Sequence, residues 1–194
     1  MTHPPLVSAL ILAGGHSSRM GSDKALLSWQ GLPLLERVCD VAMQCCADVA
    51  VLSPWPERYH DLLDPSVQLI EEVAPHEGPL VALYQGLELM PAPWLLLLAC
   101  DLPCLEPQIL QEWAAHLQPQ SLAQVPYYQG RWEPLCGFYH QQCKPQLQAF
   151  IEQGGRSFQK WLNQMPVQKL EVDVAISPML RNCNTPADLE PGIP

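Results

Sequence analysis

The sequence predicts an α/β fold, a three-layer sandwich around a mixed but mostly parallel sheet. Three observations carry that expectation. Short apolar runs alternate with helical patterns through the first 120 or so of the 194 residues. The most apolar run, Trp94 to Cys100, shows no alternation, as a central strand covered on both faces requires. The first run, Val7 to Ala13, ends on a glycine pair, as a buried strand does when it feeds a loop.

The elements follow in order. After the first strand, Pro33 opens a helix at its favoured first-turn position, with Leu34, Leu35, Val38, Val41, Ala42 and Cys45 on one apolar face. Asp48 to Leu52 reads as a second strand, Glu57 to Leu63 as a short helix and Val67 to Ile70 as a third strand. Gly78-Pro79 starts a helix that aligns Leu80, Leu83, Tyr84 and Leu87. Trp94 to Cys100 stops at Asp101-Leu102-Pro103, and a helix with Ile109, Leu110, Trp113, Ala114 and Leu117 aligned comes next. Beyond Ser121 the rhythm changes. Leu122 to Pro126 and Arg131 to Tyr139 read as strands joined by a Tyr127-Tyr128-Gln129-Gly130 turn. Helical segments around Leu147 to Ile151 and Phe158 to Leu162 are split by Gly154-Gly155, and Val167 to Val172 is a last strand. No linker or repeat interrupts this. The expectation is one domain over residues 1–194, with a nucleotide-binding half to about 120 and an acceptor-binding half from about 121.

Composition narrows the partners. A net charge of −10 argues against nucleic acid and anionic membranes, both of which call for a basic surface. A single polyphosphate needs only a few placed donors and a metal ion. The 21 prolines are scattered, so they read as stiff loops and helix starts. The longest apolar run is far below the roughly 18 residues of a membrane helix. Leu6 to Ala13 lacks the positive flank of a signal peptide, so a cytoplasmic protein with eight reduced cysteines is expected. Cys136, His140 and Cys143 fit no zinc spacing, and the aromatic pair between them suggests a strand.

Four segments carry chemistry. In Leu12-Ala13-Gly14-Gly15 through Arg19, Gly21 and Lys24, glycines let backbone N–H groups approach phosphate oxygens, and Arg19 and Lys24 add fixed positive charge. The spacing is neither a Walker A loop nor a dinucleotide fingerprint. Asp101, after seven apolar residues, needs a partner for a charge at the end of a buried strand, and nucleotide-bound Mg²⁺ is suitable; a helix cap for the segment after Pro103, or a turn residue, is the plainer alternative. Asn182 and Asn184 flank one residue and so share a face of an extended segment, although Thr185-Pro186 after them also looks like a helix start. Glu133 precedes a proline, which makes it extended and places it near a cleft.

In this order, the segments resemble the molybdenum cofactor guanylyltransferases, the MobA family. The matching pieces are Leu12 to Lys24, Gly78-Pro79-Leu80, Asp101-Leu102-Pro103, Glu133-Pro134-Leu135 and Asn182 to Pro186. The resemblance implies a Rossmann-like nucleotidyltransferase fold and Mg²⁺-dependent transfer of GMP from GTP to the terminal phosphate of Mo-molybdopterin, with release of pyrophosphate. It implies that Leu12, Ala13, Gly14 and Gly15 contact the nucleotide through backbone, and that Arg19 and Lys24 neutralise the triphosphate. Asp101 would hold the metal, Glu72 and Gly78 would join the nucleotide site, and Glu133, Asn182 and Asn184 would face the acceptor. Delivery proteins for molybdopterin and acceptor molybdoenzymes are the protein partners it implies. Three departures stand out. The family's nucleotide-binding Asp is matched by Glu72, with Glu71 as the adjacent alternative. Val81-Ala82 replaces Ala-Gly after Gly78-Pro79-Leu80, and Leu52-Ser53-Pro54-Trp55 lacks an Asn. A sister branch transfers CMP to the same pterin and tends to carry Leu-Ala-Ala-Gly in the first loop. A non-catalytic nucleotide- or pterin-binding module is the alternative from another class.

Overall fold

The computed structural model describes residues 6–14 and 23–183. Its strands are β1 (Val7–Leu12), β2 (Ser28–Trp29), β3 (Leu32–Pro33), β4 (Asp48–Ser53), β5 (Gln68–Glu71), β6 (Trp94–Ala99), β7 (Ala123–Tyr128), β8 (Arg131–Trp132), β9 (Cys136–His140) and β10 (Val167–Glu171). Its α-helices are α1 (Leu34–Cys45), α2 (Pro79–Leu89), α3 (Pro107–Ala115), α4 (Lys144–Glu152) and α5 (Phe158–Leu162). The main sheet runs β10-β7-β9-β6-β1-β4-β5, with β8 paired to β7. β6, β1, β4 and β5 are mutually parallel, as are β7 and β10. β9 runs against both of its neighbours and stitches the two halves of the chain into one sheet. The fold is therefore the expected three-layer α/β sandwich around a mixed, mostly parallel sheet, with one reversed strand in the path of the sheet.

Strand alternation decides which helices cover which face. Ala9, Ile11, Leu96 and Leu98 join the α1 and α3 residues Leu35, Val38, Leu110 and Trp113 in one buried cluster. Leu10, Leu95 and Leu97 join Leu80, Leu83 and Leu87 of α2, Leu147 of α4 and Phe158 and Trp161 of α5 in the other. β6 is buried at every position, which explains its unbroken apolar run.

The structure revises several local expectations. Pro33 ends β3 and caps α1 instead of sitting in its first turn. The hairpin β2–β3 was not anticipated; Gln30 and Gly31 turn it with φ of 51° and 89°, the two left-handed positions of a tight hairpin. The helix expected over Glu57 to Leu63 is a single 3-10 turn, Pro56–Tyr59. Arg131 to Tyr139 is two strands, because Pro134 lacks the N–H that a continuous ladder needs. Both tyrosines of the expected four-residue turn lie in β7, and Gln129 and Gly130 alone make the bend. Among the described residues, no helix is long and apolar enough to cross a membrane.

Candidate functional site

The chain leaves β1 toward β4 on one side and later returns through α2 to β6 on the other. The carboxyl ends of β1 and β6 therefore flank the point where the strand order reverses, the usual ligand crevice of an open α/β sheet. Backbone bonds fix this rim. Ala13 N donates to Leu52 O at 2.9 Å, Cys100 N to Leu12 O at 3.2 Å, and Glu72 N to Ser53 O at 2.9 Å. Ala99 N donates to Leu135 O at 2.9 Å, which brings the Glu133-Pro134-Leu135 segment to the same edge. Cys183 N donates to the Asp101 carbonyl at 2.9 Å, so the segment holding Asn182 closes back onto the end of β6.

At the centre, Lys24 Nζ pairs with Asp101 Oδ2. The two side chains are only 18% and 13% exposed, so water screens the pair weakly. Asp101 Oδ1 is buried and has no hydrogen-bond partner among the described residues, and Glu106, not Asp101, occupies the cap of α3. The helix-cap alternative for Asp101 is thereby removed, while the turn alternative holds, since Asp101 lies in the turn that follows β6. A half-paired carboxylate at a ligand crevice fits Mg²⁺, which favours one or two protein carboxylates and takes its other oxygens from phosphates and water. Among the described residues no group of three His, Cys, Asp or Glu is placed to hold a metal ion. The adjacent Cys100 thiol is pushed up to about 12 by burial and by Asp101, so it is neutral and not a nucleophile at pH 7.

Lys24 opens a 3-10 turn, Lys24–Leu26, capped by Asp23, whose Oδ1 accepts from Ala25 N at 3.1 Å. The other Asp23 oxygen accepts from the Tyr59 hydroxyl at 2.8 Å, and Arg58 lies 3.9 Å from it. Arg58 in turn stacks 4.5 Å over the Trp55 ring.

Beside this centre, Gly14, Pro54 and Glu72 meet at the ends of β1, β4 and β5. A Cβ on Gly14 would stand 2.6 Å from Pro54 Cδ and 3.5 Å from Glu72 Oε2, so only glycine fits. Glu72 is half-buried, and burial raises its carboxyl above the usual range. Glu71 is exposed, and its carbonyl accepts from Gln85 Nε2 at 2.7 Å. Glu72 is thus the acidic side chain beside Gly14. Gly78 holds φ of 93° immediately before α2 and needs glycine for that reason. The methyl of Ala82 is buried in the apolar cluster under α2.

Glu133 is half-buried, 3.7 Å from Arg131; burial raises its carboxyl and Arg131 opposes the rise. Asn182 is exposed. Gly15, Arg19 and Asn184 lie outside the described residues. Cys136 and Cys143 belong to clusters on opposite faces of the sheet, which rules out a shared metal. Cys39, Cys45, Cys46, Cys100, Cys104, Cys136 and Cys143 are free thiols. Sequence reasoning missed Tyr59, whose only signal was an aromatic in a polar stretch, and the Arg156–Glu77 pair at 2.6 Å beside Gly78.

With this geometry described, relatives can be compared. Residues 9–168 match the family model of the MobA-like NTP transferase domain. The chain is 50% identical to a probable molybdenum cofactor guanylyltransferase of Nostoc sp., covering 94% of this chain and 88% of that one. It is 44% identical to one from Synechococcus elongatus, covering 93% and 95%. Among solved structures, the molybdopterin-guanine dinucleotide biosynthesis protein A of Archaeoglobus fulgidus shares the fold with a TM-score of 0.75, at 21% identity over 94% of each chain.

Proposed function

The chain belongs to the MobA-like NTP transferase family, and on that footing we propose that it transfers GMP from GTP to the terminal phosphate of Mo-molybdopterin, releasing pyrophosphate. The observation that carries this reading is the Lys24–Asp101 pair at the switch point, with Asp101 Oδ1 left without a partner among the described residues. An acceptor phosphate oxygen bonds to the α-phosphorus of GTP as the bond to the β-phosphate oxygen breaks. Such chemistry asks for alignment and charge stabilisation, not for a protein nucleophile. Asp101 would hold Mg²⁺ through Oδ1, and the ion would neutralise the triphosphate and the leaving pyrophosphate. Lys24 would pass from the carboxylate to a phosphate oxygen, joined by Arg19. The peptide groups of Leu12, Ala13, Gly14 and Gly15 would contact the nucleotide. Glu72 would accept from the guanine edge, and Gly78 at the α2 N-terminus would border the same site. Glu133, Asn182 and Asn184 would face the pterin, which makes residues beyond about 121 the acceptor half of a single unit. The reading also includes a cytoplasmic setting and, as protein partners, a molybdopterin donor and molybdoenzyme acceptors.

The Pro54 ring beside Gly14 supports the guanylyl branch, because the alanine that cytidylyl sisters tend to carry at that position has no room. The test is pyrophosphate release with each of the four nucleoside triphosphates, Mg²⁺ and Mo-molybdopterin. Turnover with GTP alone is expected. Turnover with CTP but not GTP would assign the sister reaction, and binding without turnover would assign a carrier.

A further inference from the structure

We infer that Tyr59 is a positioning residue for Lys24, acting through Asp23. This inference rests on the role proposed above for Lys24. Tyr59 is 1% exposed and packs in the cluster between the sheet and the α1/α3 layer, so its phenol ring is held rigidly by elements that precede any ligand. Only its hydroxyl reaches the rim, where it donates to Asp23 Oδ2 at 2.8 Å across 36 positions of sequence. Asp23 Oδ1 is committed to Ala25 N at 3.1 Å. With both oxygens engaged, the Asp23 carboxylate ties the start of the Lys24 turn to the β4–β5 connection. The next residue is Lys24, whose long side chain crosses to the end of β6 to pair with Asp101. A lysine side chain has four rotatable bonds, so its ammonium is placed only as well as the backbone that carries it. Anchoring that backbone one residue away limits the positions the ammonium can reach and holds it where the triphosphate charge must be met.

Ser53 also hydrogen-bonds this hydroxyl, but the bond to Asp23 is the one that reaches the Lys24 turn. A phenylalanine would fill the same apolar space, yet the chain buries a polar atom and satisfies it with the one carboxylate that caps the Lys24 turn. Burial and Asp23 also hold the phenol well above its usual range, so it stays protonated and keeps donating throughout the neutral pH range.

The test is a double-mutant cycle on GTP- and Mg²⁺-dependent transfer, with Tyr59→Phe, Lys24→Gln and the double variant. Every assay is run well below the melting temperature of the variant concerned. Loss of one hydrogen bond to a charged group predicts about a tenfold fall in kcat/KM for Tyr59→Phe. In the Lys24→Gln background the same change is expected to cost less than about twofold, because the residue it positions is already gone. Asp23→Asn should reproduce the Tyr59→Phe loss and add nothing to it, and it serves as the test if Tyr59→Phe fails to fold. Wild-type activity in Tyr59→Phe with Lys24→Gln impaired would overturn this inference alone. An equal loss in both backgrounds would also overturn it, since that is the mark of a general packing role. Wild-type activity in Lys24→Gln would overturn both this inference and the reading of Lys24 beneath it.

Discussion

Of the ion pairs beside the proposed nucleotide site, two differ in everything but charge. Lys24–Asp101 joins the ends of two central strand loops, is largely buried and leaves one carboxylate oxygen without a partner among the described residues. Arg156–Glu77 ties the loop before α5 to Glu77, the residue preceding Gly78, and is 41% and 51% exposed, and its arginine also donates to the carbonyls of Ile151 and Gly155. The surface pair is optimised for its own geometry. The inner pair is not, and an incompletely satisfied buried charge is costly unless something else completes it. A pair that fastens two loops needs only itself, whereas a pair that meets a metal–triphosphate must keep capacity in reserve.

Breaking the inner pair should have the largest effect. Asp101→Ala is expected to lower transfer by about 10² to 10³-fold, the several kcal/mol that a metal contact supplies to developing phosphate charge. The fold should persist, with the melting temperature lowered by several degrees because the largely buried Lys24 ammonium loses its carboxylate partner. Turnover within threefold of wild type would show that Asp101 holds no ion, and the contrast between the pairs would then be one of burial only.

Glu72→Gln sharpens the contrast from a third position. Burial raises the Glu72 carboxyl above the usual range in the folded chain. The folded state therefore favours the protonated form. The stability this brings is complete below the ordinary glutamate range, about pH 4, and is lost as pH rises through the elevated folded value. At pH 8 the ionised carboxylate is a burden that Gln lifts. Melting curves should show Glu72→Gln more stable than wild type at pH 8, by under about 1 kcal/mol given its partial exposure, and little different at pH 4. GTP affinity should fall about tenfold in the same variant. Glu71→Gln should show neither change, and a result in which Glu71 carries the affinity would move the base site by one residue.

The sequence made the inner pair legible one partner at a time. Asp101 stood out because a carboxylate ended an unbroken apolar run, and Lys24 because glycines and cations gathered after a buried strand. That the two meet follows only from strand order, which places β1 beside β6 although more than 80 residues separate their starts. Tyr59 could not be found the same way. Its neighbours Glu57, Arg58 and His60 are polar, its turn is too short to show a period, and the partner of its hydroxyl lies in another loop. The choice of Glu72 over Glu71 was equally closed to a linear reading, since the residue that separates them, Gly14, reaches Glu72 only through the β1–β4–β5 register. The short hairpin β2–β3 escaped because two-residue strands carry no alternation to detect.

The smallest effect is expected at the outer pair, and it closes the comparison. An exposed ion pair gains little Coulomb energy in water and must hold two long side chains in one arrangement. Arg156→Gln should therefore change stability by under about 1 kcal/mol, and moderate salt should erase most of the difference from wild type. Its two further bonds to backbone carbonyls belong to the turn before α5, so local protection from hydrogen exchange around Gly154 to Ser157 should drop before any global change is seen. The KM for GTP should stay within about twofold, because Gly78 owes its conformation to its own positive φ and to the start of α2, with Val81 N and Ala82 N both donating to its carbonyl. A tenfold rise in KM would mean that the surface pair holds the nucleotide loop in place. Exposure would then be no guide to which charges serve catalysis, and the distinction between the two pairs would fail.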